Sequence, residues 1–145
     1  MVRTLTASRR GRPGHPRTTI KGTRVTEILV CRQGELADGD VRIVAADGFD
    51  IGVIRHDGAW YAYRNHCPHQ GGPACEGLRK AAVRELVGPG GVSLGHSYDE
   101  AEMHIVCPWH GYEFRLSDGV HARDERVRLK KYAVNEHDGM VYVIV

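Results

Sequence analysis

Cys67 and His69 stand one residue apart in "NHCPHQGG", and Cys107 and His110 stand two apart in "CPWHG". Each pair offers one soft thiolate and one borderline imidazole, the donors that zinc, copper and iron centres use. Residues 70–106 separate the pairs, so two facing loops could bring four donors around one centre. Zinc modules usually group their ligands as a Cys pair followed by a His pair or a second Cys pair. An alternating Cys-His, Cys-His order fits two metals better. If the cysteines bind one and the histidines the other, each loop spans both, and the centre ties the loops together.

Both pairs fall in segments too rich in Pro and Gly for regular structure, at the ends of predicted strands. Short apolar runs predict strands at 25–31, 41–46, 50–55, 59–64, 112–116, 127–134 and 140–145, with no long stretch of helical period. Asp47-Gly48, Asp57-Gly58, Asp118-Gly119 and Asp138-Gly139 sit where a chain reversal would join two such runs. Asp-Gly suits a tight hairpin because both residues tolerate positive φ. "AAVRELVGPGGVSLGHSY" reads as a further hairpin turning at Gly88-Pro89-Gly90-Gly91. The expected fold is all-β, a small antiparallel sandwich or barrel that presents the two Cys-His loops.

At 145 residues the chain suits one domain and one functional site. It has no apolar run of the length a membrane helix needs and no apolar secretory segment near its start, so a soluble cytoplasmic protein is expected. Four cysteines (31, 67, 75 and 107) in such a compartment point to metal ligation before disulfides. Residues 1–24 hold seven Lys or Arg and no acid; removing those charges from the net +2 leaves the body at −5. An acidic body does not suit nucleic-acid binding, and suits docking on basic partner surfaces. The basic segment 1–24 has few large apolar side chains and is expected to be a disordered tail, with a folded domain from about Val25. Arg9-Arg10 would open a twin-arginine export signal only if an apolar segment followed, and "GRPGHPRTTIKG" is polar. "RRGRPGHPR" resembles the minor-groove AT-hook core, a short match within biased composition.

"CPHQGG" with "CPWHGYEF" resembles the Rieske iron-sulfur signature, Cys-x-His followed by Cys-x-x-His. The flanks "IGVIRHDGAWYAYR" and "VRLKKYAV" with "DGMVYVIV" are similar to the strands of Rieske-type ferredoxins, so the likeness spans 25–145. It implies a Rieske fold with a cluster-binding subdomain of two loops, and one [2Fe-2S] cluster held by Cys67, His69, Cys107 and His110. It further implies a one-electron carrier between a ferredoxin reductase and a terminal oxygenase. Gly71, Gly72 and Gly111 would let backbone N–H groups approach the sulfurs, and Pro68 and Pro108 would stiffen each loop. Trp109 and Phe114 would cover the cluster or the core beneath it, and Gln70 and Trp109 would lie near the docking surface.

Respiratory-chain members of that family carry a disulfide between the loops and hydroxyl donors to the cluster. Here Trp109 stands where one of those cysteines would be, and Tyr112 and Phe114 stand where a serine and a tyrosine would. Fewer donors leave the reduced cluster less stabilised, which implies a midpoint near the low end of the Rieske range, about −150 mV. Only 35 residues follow His110, enough for closing strands, so oxygen chemistry is expected on another polypeptide. Cys31 reads as a core residue and Cys75 as an ordinary thiol. Residues 78–106 are longer than the family's usual spacing between loops. Within them His96, Asp99, Glu100, Glu102 and His104 raise a second metal site as one possibility and a solvated acidic loop as the other. A cluster-bearing small subunit of a larger oxidoreductase and a zinc-stabilised binding module are the competing functions.

Overall fold

The computed structural model describes residues 17–20 and 23–145. Among the described residues ten strands form: β1 (Arg17–Ile20), β2 (Thr23–Arg32), β3 (Val41–Ala46), β4 (Phe49–His56), β5 (Ala59–Arg64), β6 (Arg79–Val87), β7 (Ser93–Val106), β8 (Glu113–Arg115), β9 (Lys131–His137) and β10 (Met140–Ile144). Seven form one antiparallel sheet in the order β1-β2-β10-β9-β5-β4-β3, and the other three form a second sheet, β6-β7-β8. The first sheet curls toward closure: Arg42 of β3 donates to the Val30 carbonyl of β2 at 3.2 Å. The expected all-β architecture is therefore present, a barrel-like sheet plus a smaller one.

Asp-Gly chemistry sets the tight reversals. Asp57 (φ 47°) with Gly58 (φ 75°), and Asp138 (φ 53°) with Gly139 (φ 72°), place both central residues in the left-handed region. The pairs His56↔Ala59 and His137↔Met140 close two-residue hairpins around them. Asp47-Gly48 also joins β3 to β4 in a two-residue reversal, with only Gly48 (φ 77°) left-handed.

β4 is the wall on which the molecule divides. Successive side chains of a strand point to opposite faces, and Ile51 and Val53 join a core with Ile28, Val30, Val141 and Val143, inside the large sheet. Ile54 turns the other way, into a second core with Tyr63, Cys67, Cys75, Cys107, Phe114 and Leu129. Gly52 shares that outer face: a Cβ there would lie 2.2 Å from the Cys75 Cβ, so the wall and the loop region pack too closely for any side chain. Burying each large apolar side chain stabilises the fold by about 1.5–3 kcal/mol, so the second core binds the loop region firmly to the barrel. Tyr63 adds a buried hydrogen bond to the Leu116 carbonyl at 2.6 Å.

Three boundaries differ from the sequence expectation. Strand pairing starts before Val25, since Arg17–Ile20 pairs with β2; the rest of the expected tail, with the twin-arginine and AT-hook stretches up to residue 16, lies outside the described residues. The strand expected at 127–134 begins only at Lys131, because 127–129 pair instead with the reversal at Asp118-Gly119: His121 N–H reaches the Val127 carbonyl and Leu129 N–H that of Gly119. The hairpin around 88–91 forms as expected, and its second strand runs unbroken to Val106.

Candidate metal centre

The two Cys-His loops have one backbone. In residues 67–72 the Cys67 carbonyl accepts from Gly71 N–H at 2.8 Å and the Gly72 carbonyl accepts from Cys67 N–H at 2.8 Å. In residues 107–112 the Cys107 carbonyl accepts from Gly111 N–H at 3.0 Å and the Tyr112 carbonyl from Cys107 N–H at 2.8 Å. Each turn needs a left-handed residue, supplied by Gly71 (φ 79°) and Gly111 (φ 71°).

This shared turn sends the thiols inward and the imidazoles outward. Cys67 and Cys107 are buried, 3% and 1% exposed, in the core beneath the loops. His69 and His110 are exposed, their ring centroids 4.9 Å apart and nearly perpendicular. The structure thus brings all four sequence-predicted donors to one tip, cysteines below and histidines above. Burial pushes the Cys67 thiol up, and the adjoining Cys107 thiol adds to that rise. Hydrogen bonds from the backbone N–H groups of His69 and Gln70 to the Cys67 sulfur pull the other way.

Donor chemistry tests whether a two-iron cluster fits. Paired buried thiols with N–H groups aimed at sulfur suit a positively charged metal, which would offset the cost of burying thiolates. Among the described residues no three His, Cys, Asp or Glu side chains converge on one metal position. Two thiols on the inner side and two imidazoles on the outer side suit a cluster in which one iron would take the cysteine pair and the other the histidine pair.

Trp109 is 57% exposed and lies over the first loop: a Cβ on Gly72 would sit 2.8 Å from its Cγ and 3.1 Å from the Cys107 sulfur. Phe114 is fully buried, so of the two aromatics singled out by sequence, Trp109 covers the loops at the surface and Phe114 packs beneath them. Pro68, Pro108 and Gln70 are exposed at the tip. His66 is exposed and rests against Gly71, where a Cβ would meet its ring at 2.8 Å; His69 is the histidine that faces His110.

Sequence reasoning missed Asn65 and His121. Asn65 accepts from Cys75 N–H at 2.9 Å and donates to Glu76 at 3.0 Å, pinning the first loop to the segment that follows it. An Asn two residues before a Cys-His loop was the available signal, given its habit of bonding backbone groups. His121 stands against Tyr112 and Phe114, and nothing in its spacing announces that.

Away from the tip, the acidic group of 96–104 is neither a metal cluster nor a loop. Its residues lie on β7, where Asp99 and Glu102 pair with Arg84 at 3.0 Å each and His104 meets Glu113 at 2.9 Å. Cys31 is buried in the barrel core, and Cys75 is fully buried with its thiol pushed up to about 12 by desolvation.

Comparison with known proteins identifies the family and the fold. The family model of the Rieske [2Fe-2S] domain matches residues 26–133. The chain is 28% identical over 125 residues to the 3-phenylpropionate/cinnamic acid dioxygenase ferredoxin subunit of Photorhabdus laumondii, a match covering 83% of this chain and 96% of that one. Its fold is similar to a chain in the complex of reduced oxygenase and oxidized ferredoxin in carbazole 1,9a-dioxygenase (TM-score 0.58, 25% identity, 81% of this chain and 91% of that one). It is also similar to a chain described as an NADH-dependent nitrite reductase small subunit from Mycobacterium tuberculosis (TM-score 0.61, 22% identity, 83% and 96%).

Proposed function

The chain belongs to the Rieske [2Fe-2S] family, and from that premise we propose that Cys67, His69, Cys107 and His110 hold its cluster and that it carries electrons from a reductase to a terminal oxygenase. It is an electron carrier with a single Rieske-type cluster. When bound, that cluster would take up one electron from a donor and release it to an acceptor. The chain's own residues divide the rest. Cys67 and Cys107 keep their sulfurs dry in the second core, and the N–H groups of His69 and Gln70 donate to the Cys67 sulfur. His69 and His110 stand in solvent at the tip, where a partner can come within electron-transfer distance. Gln70 and Trp109 flank them and are the proposed docking contacts. Oxygen activation is assigned to the partner, in line with the ferredoxin subunit of a dioxygenase that this chain resembles.

The observation that carries this reading is the pairing of two buried thiols below two exposed imidazoles. Reconstitution with iron and sulfide is expected to give a red-brown protein with two irons per chain and an EPR signal only after reduction. A colourless protein that holds zinc would overturn it. Replacing Gln70 or Trp109 is expected to slow transfer to the cognate oxygenase without changing iron content, and unchanged rates would remove those residues from the docking surface.

A second reading, a cluster-bearing subunit fixed in a larger oxidoreductase, is favoured by the outer half of the β6–β7 hairpin. Val83, Leu86, Val87, Val92, Leu94 and Tyr98 are each at least 44% exposed there. A two-stranded ribbon gains little stability alone in water, and a permanent subunit would cover it. Copurification of a stoichiometric large subunit at high salt would favour this reading, and a freely dissociating chain the carrier.

A further inference from the structure

We propose that Tyr112 is a positioning residue which reaches across from the second loop and fixes the ring plane of His69 in the first. The proposal rests on the assignment of His69 as a ligand. The two rings stack with centroids 4.3 Å apart and planes 19° from parallel. An exposed imidazole has a broad, two-fold freedom about its outer torsion, and a flat ring laid on its face removes most of that freedom.

Tyr112 can hold His69 because it is itself held from behind. Its carbonyl closes the second loop by accepting from Cys107 N–H at 2.8 Å. Its ring is backed by His121, 5.0 Å away at 60°, and His121 in turn meets fully buried Phe114 edge-on at 5.6 Å. His121 Nδ1 accepts from Arg123 N–H at 3.2 Å and Asp124 N–H at 3.1 Å, which locks both its tautomer and its orientation. Phe114, His121, Tyr112 and His69 thus form one column of rings from the core to the surface. Among the described residues His110 has no aromatic neighbour of this kind except His69 itself. The two histidines are therefore unequal: one is clamped, the other is free to adjust to a partner.

Pulsed EPR on reduced, ¹⁵N-histidine-labelled protein tests this through the two histidine nitrogen couplings. Tyr112→Ala is expected to shift and broaden one coupling and leave the other unchanged. Tyr112→Phe, which keeps the flat ring, is expected to preserve both, and His121→Ala to give a smaller change in the same coupling. Tyr112→Leu is carried alongside, with iron content and circular dichroism, so that a loading defect in the alanine variant still leaves a test of ring against bulk. Couplings unchanged in both Tyr112→Ala and Tyr112→Leu would overturn the positioning role and leave the ligand assignment standing. A native protein without two histidine couplings would instead overturn the ligand assignment, and this proposal with it.

Discussion

Residues 67–72 and 107–112 close through the same pair of backbone hydrogen bonds, yet at equivalent places one loop reads Cys-Pro-His-Gln-Gly-Gly and the other Cys-Pro-Trp-His-Gly-Tyr. The histidine comes third in the first loop and fourth in the second. The first loop's last residue is bare backbone, Gly72, and the second's is a large aromatic, Tyr112. Both large rings of the second loop reach to the first, Trp109 over Gly72 and Tyr112 over His69. One loop is covered and the other covers it. Two copies of the same turn can offer the same pair of ligands, but only unequal side chains let them nest face to face without collision.

Four measurements break or sharpen this comparison, beginning with what the loops share. Cys67→Ser and Cys107→Ser are each expected to abolish cluster binding, read as loss of iron and of visible absorbance, because each thiolate would supply half the protein ligands of one iron. Retention of a full cluster in either variant would remove that residue from the ligand set.

The next prediction separates the loops. Gly72→Ala drives a methyl group into Trp109 and toward the Cys107 sulfur, and is expected to cost about 1–3 kcal/mol in urea unfolding together with much of the iron. Gly111→Ala meets nothing within 4 Å and carries only the left-handed backbone penalty, about 1 kcal/mol. An equal or larger loss at Gly111 would show that nesting is not what distinguishes the loops.

Tyr112 at the end of the second loop and Phe114 in β8 stand where the resemblance places the hydroxyl donors of respiratory-chain members. The midpoint potential is therefore expected near about −150 mV, and a value above about +100 mV would show that donors to the cluster arise elsewhere.

The smallest effect is in pH. The first loop leads into a segment held by the neutral Asn65, the second into β8, held by ionised Glu113. Burial would raise the Glu113 carboxyl, but Lys80 at 2.7 Å and His104 at 2.9 Å outweigh it and keep it below the usual carboxylate range. A depressed carboxyl stabilises the fold above its unfolded value, and that contribution is lost as pH falls through the folded one. Amide exchange of residues 113–115 is thus expected to accelerate on acidification below the ordinary glutamate range before that of 74–76 does. Glu113→Gln should remove the difference; if it persists, another group is responsible.

Much of this was legible without coordinates. Asp57-Gly58 and Asp138-Gly139 announced their hairpins because few other dipeptides accept two left-handed residues in a row. The alternating Cys-His, Cys-His order pointed to a two-metal centre because it does not fit a zinc module, and the matched family is a [2Fe-2S] one. The segment 127–134 misled at its start, because Val127 and Leu129 alternate with exposed Arg128 as in a strand, while 127–129 pair with the reversal at 118–121 and only 131–134 join a neighbouring strand. The acidic residues of 96–104 carry no sign of Arg84, which reaches them only through the register of β6 on β7.

By itself the sequence determined the turn chemistry, the alternation of strand faces, the four donors and their order, since each of these is local and depends on a residue's own conformational range and atoms. Only the tertiary structure decided that β4 divides two cores, that Gly52 and Gly72 must be bare because Cys75 and Trp109 press on them, and that Tyr112 lies on His69. Those outcomes depend on groups tens of residues apart in the chain, and close packing, which leaves no room to choose, is what brings them together.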